Sequence, residues 1–587
     1  MFLADRHIEE LKRELWKAFP AVRARYAELF ARDPQGFARA ARRAADDNNN
    51  RALIAMAEVL VERDALTSKP FHKIRFVPAL LPRLIDEGRP REALDLLERA
   101  DIANPGHPKY WLLKARAFAA LGRLKEAHRA VRESLALDPA ASEAEALRRT
   151  VVAAIKLSRQ MEAGEGGWAQ LARLAEACLA LGLNGRARSF LKRGLSAWPD
   201  VGPADHDDAV RVLELAADLL GPSQSYKRSR ALLKARPDDG RLQALMMGWL
   251  IDLDRASEAV GDDSGGRSLR LQRALAAAAT GDLDTAIGRL GRLSVDFRED
   301  LEVRAALAYW VGAQVLREAP LDLAPAGDRP RVFNLMPFND ELDLLELHLA
   351  EMHDWVDLFV IAESTETFTG LPKPLHFERN KARFAPWADK IRHVVVEGHP
   401  EAFHSPWGRD FRQRDMAIGA LSGLCAPDDL VLLTDVDEIV DRRALEGFDG
   451  DFAGLRMATY RFFLNYRPTA DNLPWRRTGA VFKAGLLQRF GSSYARFTLA
   501  RAKHGYLLDE SGWHFTSVGD STRVVAKVNS YAHQERKSVW RDEDRVARLL
   551  ARIRAGHYEP RWERAEIDDS FPRAIRDRAD NLRDLMI

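Results

Sequence analysis

Carboxylates stand at alternate positions directly after an apolar run in the second half of the chain. The run Leu430–Leu433 is followed by Thr434 and then by Asp435-Val436-Asp437-Glu438. Ligands bind where strands end in open α/β sheets, and carboxylates there can hold a hard divalent cation that grips a diphosphate. The pattern is short, and a solvated turn whose acidic residues cap the next helix is the alternative. The other motifs of the chain must therefore decide between the two.

Further polar side chains follow or flank the neighbouring apolar runs. Glu363 ends the run Leu358–Ala362 and is placed to accept hydrogen bonds from hydroxyl or imide groups, with Lys373 shortly after it. Arg414 stands early on a predicted helix that leads to the acidic pair, where a guanidinium can meet a phosphate or a ribose. An ordinary surface arginine is the alternative, because arginine is abundant in this chain.

The run Gly512-Trp513-His514 supplies a different chemistry. Glycine permits close approach of the backbone, tryptophan offers a stacking face and histidine can ligate a metal. A single histidine is more often structural than a ligand. Beside a cation held by aspartates, His514 is nevertheless a candidate nitrogen ligand.

Alternating strand-like and helical stretches must position these residues. Apolar runs rich in β-branched residues recur after residue 331, and helical stretches such as Leu342–Met352 and Asp410–Leu424 separate them. Strands that alternate with helices predict a mostly parallel sheet covered on both faces. The sequence thus predicts an α/β domain over residues 331–587, with the acidic pair at the end of a central strand.

The first half has a different pattern, with alanine, leucine, arginine and glutamate at helical spacing. Ala93 and Ala127 lie 34 residues apart, as do Pro105 and Pro139, which is the period of tetratricopeptide repeats. We predict a helical cap over 1–74, an all-α solenoid of such repeats over 75–318 and a Pro-rich linker over 319–330; a non-repetitive helical bundle is the alternative. A solenoid presents a concave groove, so its expected partner is a protein or peptide.

Composition excludes several classes of protein. The 587 residues exceed a single core, and 89 basic against 87 acidic side chains leave a formal charge of +2, which argues against a nucleic-acid or membrane-surface binder. The two cysteines, Cys178 and Cys425, cannot build a disulfide framework or a cysteine-based zinc site. No apolar stretch is long enough to span a membrane. A cytoplasmic protein with no integral membrane segment is expected.

Taken together, the motifs of the second half resemble glycosyltransferase family 17. The matching motifs run in consistent order over roughly 331–540 and comprise Phe338-Asn339-Asp340-Glu341, Glu363-Ser364, Thr367-Phe368-Thr369-Gly370, Pro372-Lys373-Pro374, Arg414-Asp415, Asp435-Val436-Asp437-Glu438, Gly512-Trp513-His514-Phe515 and His533-Gln534-Glu535. The resemblance does not reach the helical half. It implies a GT-A-like fold, a nucleotide-sugar donor and inversion at the anomeric carbon.

The resemblance also implies roles for single residues. The expected metal contacts are Asp435, Asp437 and His514, and the expected donor contacts are Glu363, Lys373, Arg414 and Asp435. The base that deprotonates the acceptor is left open among Asp509, Glu510 and Glu535, which flank the Gly-Trp-His run. Asn465, Trp475 and Trp513 are candidates for shaping the acceptor site, since sugars pack on aromatic rings.

The expected protein is therefore an inverting, metal-dependent glycosyltransferase that uses manganese or magnesium. It is expected to move N-acetylglucosamine from UDP-N-acetylglucosamine to a protein held by the repeats. A polysaccharide or lipid-linked acceptor is an alternative, and a repeat scaffold with an inactive transferase domain is another. An Arg- and Ala-rich, cysteine-poor chain without an anchor favours a bacterial cytoplasmic enzyme.

Overall fold

The fold was established from a computed structural model. It describes residues 19–35, 37–38, 41, 50–62, 81–82, 84–85, 89–98, 105–163, 167–196, 198, 206–262, 264–446, 448, 450–469, 475–501, 507–508, 510–532 and 540–587. The chain divides into two compact units, and the boundary between them falls between Ala259 and Val260. Most of the predicted cap at 1–74 lies outside the described residues.

The first unit consists of helices. Their bounds are α1 Phe19–Arg32, α2 Asn50–Glu62, α3 Pro90–Glu98, α4 Pro108–Ala120, α5 Leu124–Leu137, α6 Ser142–Glu162, α7 Trp168–Ala180, α8 Asn184–Ser196, α9 His206–Leu220, α10 Pro222–Ala235 and α11 Gly240–Asp252. Gly122 and Gly182 turn the chain between α4 and α5 and between α7 and α8, each with a positive φ that suits glycine. Ala115 and Ala127 are fully buried where α4 and α5 pack, because small side chains let paired helices approach closely.

The second unit begins with three further helices, α12 Arg267–Ala279, α13 Leu283–Asp296 and α14 Leu301–Glu318. No helix among the described residues of either unit is long and apolar enough to cross a lipid bilayer. After α14 the chain enters the α/β part. Its helices are α15 Leu342–Met352, α16 His376–Asn380, α17 Pro406–Met416, α18 Ala484–Phe490, α19 Ser492–Tyr494, α20 Ser521–Ser530, α21 Glu543–Arg554 and α22 Arg573–Arg576.

A nine-stranded sheet forms the centre of this unit. All the described strands of this unit, including two that lie outside the sheet, are β1 Val332–Phe338, β2 Leu358–Ser364, β3 Ile391–Val396, β4 Leu430–Leu433, β5 Glu438–Val440, β6 Phe452–Arg461, β7 Tyr466–Pro468, β8 Trp475–Lys483, β9 Leu507–Leu508, β10 Gly512–Thr516 and β11 Trp562–Arg564. Their order is β3-β2-β1-β4-β8-β6-β10-β5, with β9 beside β6; β7 and β11 form a separate pair.

The sheet is mixed and not purely parallel: five of its eight strand pairings among the described residues are parallel and three are antiparallel. Strands β3, β2, β1 and β4 are parallel, as predicted from the helices between them. Strand β8, however, pairs antiparallel with both β4 and β6, and β10 pairs antiparallel with β5. The stretch from β5 to β8 has no long helix, and antiparallel neighbours need no crossover helix.

The Pro-rich segment 319–330 packs within the second unit. Leu321 is 1% exposed, the Ala324 N–H donates to the Cys425 carbonyl at 2.8 Å, and the Gly423 N–H donates to the Asp322 carbonyl at 2.8 Å. Helix α14 packs on α17, and a side chain at Gly312 would meet Gly491 at 3.3 Å. The boundary between the compact units therefore precedes α12 and lies well before the predicted linker.

Candidate functional site

A cleft of about 290 Å³ opens where the central strands end. Strands β1, β2 and β4 are parallel neighbours, with Phe338 opposite Glu363 in the register, so their carboxyl ends share one edge of the sheet. Most of the lining side chains come from the loops after these strands, from the helices α17 and α20, from β10 and from the segment that follows α19. They include Asn339, Glu341, Lys373, Asp410, Arg414, Asp435, Asp437, Glu438, Arg496, Phe497, Arg501, His514 and Lys527.

Asp435 lies at the floor of the cleft between two guanidinium groups. Its Oδ1 is 2.6 Å from Nη1 of Arg414, and its Oδ2 is 3.0 Å from Nη2 of Arg496. Desolvation disfavours its ionised form, but the two arginines outweigh that effect and hold the pKa of the carboxyl well below its usual range. Asp435 is therefore ionised and already paired within the protein.

Arg414 and Arg496 are themselves held in place. Arg414 is 10% exposed and donates from Nε to Asp410 at 2.7 Å. Arg496 is 3% exposed, donates from Nη1 to the Leu433 carbonyl at 2.7 Å and contacts Glu438 Oε1 at 2.9 Å. Arg414 thus lies beside the acidic pair as expected, but in the last turn of α17 and not early on a helix, and its partners are Asp410 and Asp435.

Asp437, Glu438 and His514 form the group that is best suited to a cation. One ligand atom from each of the three lies within 4.8 Å of the others. Glu438 and His514 face each other in the register of β5 and β10, and Nε2 of His514 is 3.6 Å from Oδ1 of Asp437. The buried Nδ1 of His514 has no hydrogen-bond partner among the described residues. Carboxylate and imidazole ligands fit a divalent ion such as manganese.

A lysine already contacts this group. The Nζ of Lys527, on α20, is 2.6 Å from Oδ2 of Asp437 and 3.8 Å from Oε1 of Glu341. Burial disfavours its ammonium form, but the neighbouring carboxylates prevail and raise the pKa of Lys527. Burial raises the pKa of Glu341 and of Glu438 above that of a free glutamate. The acidic floor is thus partly neutralised by the protein's own cations.

A buried polar network supports the loop between the two aspartates. His348 of α15 contacts the Val436 carbonyl through Nδ1 at 3.1 Å and Oδ1 of Asn334 through Nε2 at 2.7 Å. Asn334 in turn donates to the Thr434 hydroxyl at 2.8 Å. Burial lowers the pKa of His348 to about 4, so its ring is neutral at physiological pH. These contacts orient the backbone from which Asp435 and Asp437 project.

Gly512 permits the pairing that brings His514 to Glu438. Its φ is +135°, and a side chain there would lie 2.1 Å from the Ile439 carbonyl oxygen. Only glycine fits this approach, in agreement with the role predicted from the Gly-Trp-His run.

With this geometry established, the chain can be compared with known proteins. Residues 323–554 match the model of glycosyltransferase family 17. Residues 84–151 match a tetratricopeptide repeat model. Both matches confirm the resemblances predicted from the sequence, and the first of them spans the whole floor of the cleft.

Curated relatives give the same result over a shorter stretch. The β-1,4-mannosyl-glycoprotein 4-β-N-acetylglucosaminyltransferases of Rattus norvegicus and Homo sapiens are each 31% identical over 159 residues, which is 24% of this chain and 29% of the relative. The chain thus matches less than a third of their length. Among solved structures, the APC/C hetero-tetramer Cut9-Hcn1 is 13% identical, covering 48% of this chain and 60% of that one, with a TM-score of 0.20 that is too low to define a shared fold.

Of the other two predicted donor contacts, Glu363 does not line the cleft. Glu363 is fully buried behind it and accepts from the Phe377 N–H at 3.1 Å. His393 lies 3.1 Å from one oxygen of Glu363, and Lys373 lies 3.4 Å from the other. Burial opposes ionisation of Glu363, yet these partners keep its pKa below that of a free glutamate. Lys373 lines the cleft, whereas Glu363 does not.

Three candidate bases were predicted around the Gly-Trp-His run. Asp509 and Glu535 lie outside the described residues. Glu510 is exposed, has a φ of +50° and does not line the cleft.

Of the three residues expected to shape the acceptor site, Trp513 and Asn465 make hydrogen bonds within the protein. Trp513 is 6% exposed, and its Nε1 donates to the Ser570 carbonyl at 2.7 Å within the core. The side chain of Asn465 makes hydrogen bonds to the backbone of Ile587. The side chain of Trp475 lies outside the described part of the chain.

Sequence reasoning missed Arg496, Phe497 and Arg501. The first two lie in a π-helical turn after α19, Ala495–Leu499, which is closed by the Ala500 N–H to the Ala495 carbonyl at 2.9 Å, and Arg501 follows this turn. No short motif marks this segment. A cluster of arginines around one aromatic residue was its only signal.

Proposed function

We propose that the family 17 domain transfers N-acetylglucosamine from UDP-N-acetylglucosamine, with inversion, to an acceptor protein recruited by the helical repeats. The observation that carries the proposal is the strand-end group Asp435, Asp437 and Glu438 on the floor of the cleft. It lies opposite His514 and within the stretch that matches family 17. The sugar is inferred from the N-acetylglucosaminyltransferase activity of the similar rat and human proteins.

Inverting transfer exchanges one bond for another. The acceptor hydroxyl oxygen bonds to the anomeric carbon while the bond from that carbon to the diphosphate oxygen breaks. The hydroxyl proton passes to a carboxylate, and the nucleoside diphosphate leaves with added negative charge. Groups that hold positive charge near that leaving group lower the barrier. Arg496, Arg501 and Lys527 line the cleft and supply such charge.

A divalent cation fits the donor set at this floor. Asp437 and His514 are the available ligands, because both oxygens of Glu438 are engaged, one by Arg496 and one by the Asp435 N–H. A bound cation would supply further positive charge to the leaving diphosphate. Asp435 stays a predicted ligand, and its two arginine partners would have to yield for it to bind a cation.

Glu341 adds a candidate for the base to the three named above. It lines the cleft, its side chain is 22% exposed, and burial raises its pKa. A carboxylate whose pKa is raised toward neutrality accepts a proton more effectively.

The donor half of the proposal is tested with a panel of nucleotide sugars and purified full-length protein. Manganese-dependent release of UDP from UDP-N-acetylglucosamine is expected, and Asp437→Ala should lower it by at least about 100-fold, as removal of an electrostatic catalytic group does. Asp389→Asn, an exposed aspartate on the surface of the same unit, is the matched control and should leave the rate unchanged. Unchanged hydrolysis in Asp437→Ala would refute the assignment of this site.

The acceptor half is tested by following the transferred sugar. Full-length protein is incubated with radiolabelled UDP-N-acetylglucosamine and a cell extract. Label in a protease-sensitive fraction supports a protein acceptor. Label in a protease-resistant polymer or in a chloroform–methanol extract supports the saccharide or lipid-linked alternative and overturns the role given to the repeats.

A further inference from the structure

One aromatic ring of the cleft carries three guanidinium groups. The Cζ atoms of Arg414, Arg496 and Arg501 lie 5.2, 5.4 and 5.0 Å from the centre of the Phe497 ring. The ring also contacts the rings of Trp407 and Phe411, at centroid distances of 6.0 and 5.6 Å. Stacking on such a fixed ring orients a guanidinium and stabilises its charge.

The segment that presents this ring is anchored at its start. One carboxylate oxygen of the buried Asp415 accepts from the Ser492 N–H at 2.6 Å, from the Ser492 hydroxyl at 2.8 Å and from the Ser493 N–H at 3.0 Å. The π-helical turn begins three residues after Ser492. Turns of this type occur often at functional sites. Arg496, Phe497 and Arg501 are therefore presented to the cleft from a fixed base.

The three arginines differ in what they bind. Arg414 and Arg496 are buried and share Asp435 between them. Arg501 is exposed and lines the cleft, and no carboxylate of the described residues lies within ion-pair distance of it. Desolvation by the cleft and the nearby charge of Arg496 lower the pKa of Arg501 to about 10, so its guanidinium remains protonated at neutral pH. Among the described residues, this positive charge of the cleft thus stacks on Phe497 but has no paired carboxylate.

An arginine fork fits phosphate oxygens and holds them with charge-assisted hydrogen bonds. We propose that Arg501, seated on Phe497, binds the diphosphate of the nucleotide donor and holds it against the acidic floor. This inference rests on the proposed function, since it names a contact of the same site. It assigns to Arg501 a contact that the sequence motifs place on Asp435, Arg414 and Lys373.

Isothermal titration calorimetry with UDP and with uridine, on full-length protein with manganese, tests the assignment. Arg501→Ala should weaken UDP binding by about tenfold or more, the loss of one charge-assisted hydrogen bond, and should leave uridine binding unchanged. Arg501→Lys keeps the positive charge but not the planar fork, so its affinity for UDP should lie between those of the wild type and Arg501→Ala. Arg442→Ala, at an exposed arginine outside the cleft, is the control and should bind UDP like the wild type.

The outcomes separate the two proposals. If Arg501→Ala binds UDP as the wild type does, or loses uridine binding to the same extent, the assignment of Arg501 is wrong while the transferase proposal stands. If the wild type binds neither UDP nor uridine, the proposed donor site itself is wrong, and the role of Arg501 is wrong with it. The melting temperatures of both Arg501 variants should lie within a few degrees of that of the wild type. This control shows that a change in affinity reflects binding and not a loss of folded protein.

Discussion

Asp435 and Asp437 stand two residues apart, yet they have different partners. Asp435 is held by two buried guanidiniums, whereas Asp437 contacts Lys527 and lies near His514. The first is a fixed part of the protein's own charge network. The second has partners, an ammonium and an imidazole, that a cation can replace or join. At the residue scale, the two positions of the motif are therefore expected to differ in function.

Arg496 provides a stability prediction at this scale. Its guanidinium is 3% exposed and is paired with Asp435 and Glu438. Arg496→Ala removes the cation paired with the buried Glu438 and one of the two that hold Asp435, and should lower the free energy of unfolding by about 3–5 kcal/mol. Urea unfolding at pH 7 of the wild type and the variant measures this loss of free energy.

Arg443→Ala is the control for that change. Arg443 pairs with Asp441 on the surface and is 72% exposed, so its loss should cost less than about 1 kcal/mol. Equal losses for the two variants would show that the pairs of Arg496 contribute no more than a surface pair.

At the scale of elements, the short pair of β5 and β10 decides the geometry of the cation site. Glu438 and His514 are opposite each other only because β10 approaches β5 at Gly512. The approach is close enough to exclude any side chain. The site therefore depends on one backbone position that bears no ligand itself.

Gly512→Ala tests this dependence. The change adds a clash with the Ile439 carbonyl to the strain of a positive φ, which alone costs about 1–3 kcal/mol. Urea unfolding should show a greater loss than for Gly556→Ala, where φ is +84° but no atom lies within 4 Å of the added carbon. Manganese binding, followed by electron paramagnetic resonance, should weaken in the first variant alone. Equal destabilisation in both variants would contradict the clash.

The contact of α15 with the acidic loop predicts a pH dependence. Burial lowers the pKa of His348 to about 4, whereas an unfolded histidine titrates near 6.5. Between these values the unfolded chain binds a proton that the folded chain does not. The free energy of unfolding should therefore fall as the pH falls from about 6.5 to 4, by up to about 3 kcal/mol.

His348→Gln should reduce that slope, as measured by urea unfolding between pH 7 and 4.5. His557→Gln, at an exposed histidine of the same unit, should keep the slope of the wild type. A slope that is the same in all three proteins would show that His348 does not titrate in this way.

At the scale of the whole molecule, three helices of the repeat-like half belong to the unit that contains the sheet. Helix α14 packs on α17, the helix that carries Asp410 and Arg414, and Gly312 of α14 lies against Gly491 just before α19. Gly291 of α13 likewise faces Ser405 at the start of α17. These helices therefore back the elements that present the arginines of the cleft.

Truncation tests this division. A fragment of residues 260–587 should unfold in one cooperative thermal transition, because it contains a whole compact unit. A fragment of residues 331–587 exposes the faces of α17 and α18 that α14 covers, so it should aggregate or melt without a cooperative transition. Differential scanning calorimetry distinguishes the two. If the 331–587 fragment is stable and unfolds cooperatively, the domain boundary lies at the Pro-rich segment, as the sequence predicts.

Much of this arrangement was determined locally and could be predicted. Parallel strands place their carboxyl ends on one edge, so apolar runs that end in Glu363 and Asp435 predict one site there. Helical periodicity with a 34-residue spacing predicts the paired helices of the first unit, and glycine before Trp513 predicts a close strand contact. Each of these inferences depends on residues near one another in the chain, where spacing and backbone geometry act directly.

The partners of the charged groups were decided only by the tertiary structure. Asp435 pairs with residues 21 and 61 positions away, and which arginine among many reaches it depends on how α17 and the turn after α19 pack. The apolar residues of α14 likewise predict that this helix is buried, but not which element covers it. Long-range packing and desolvation select these partners, and neither leaves a regular spacing in the amino-acid sequence.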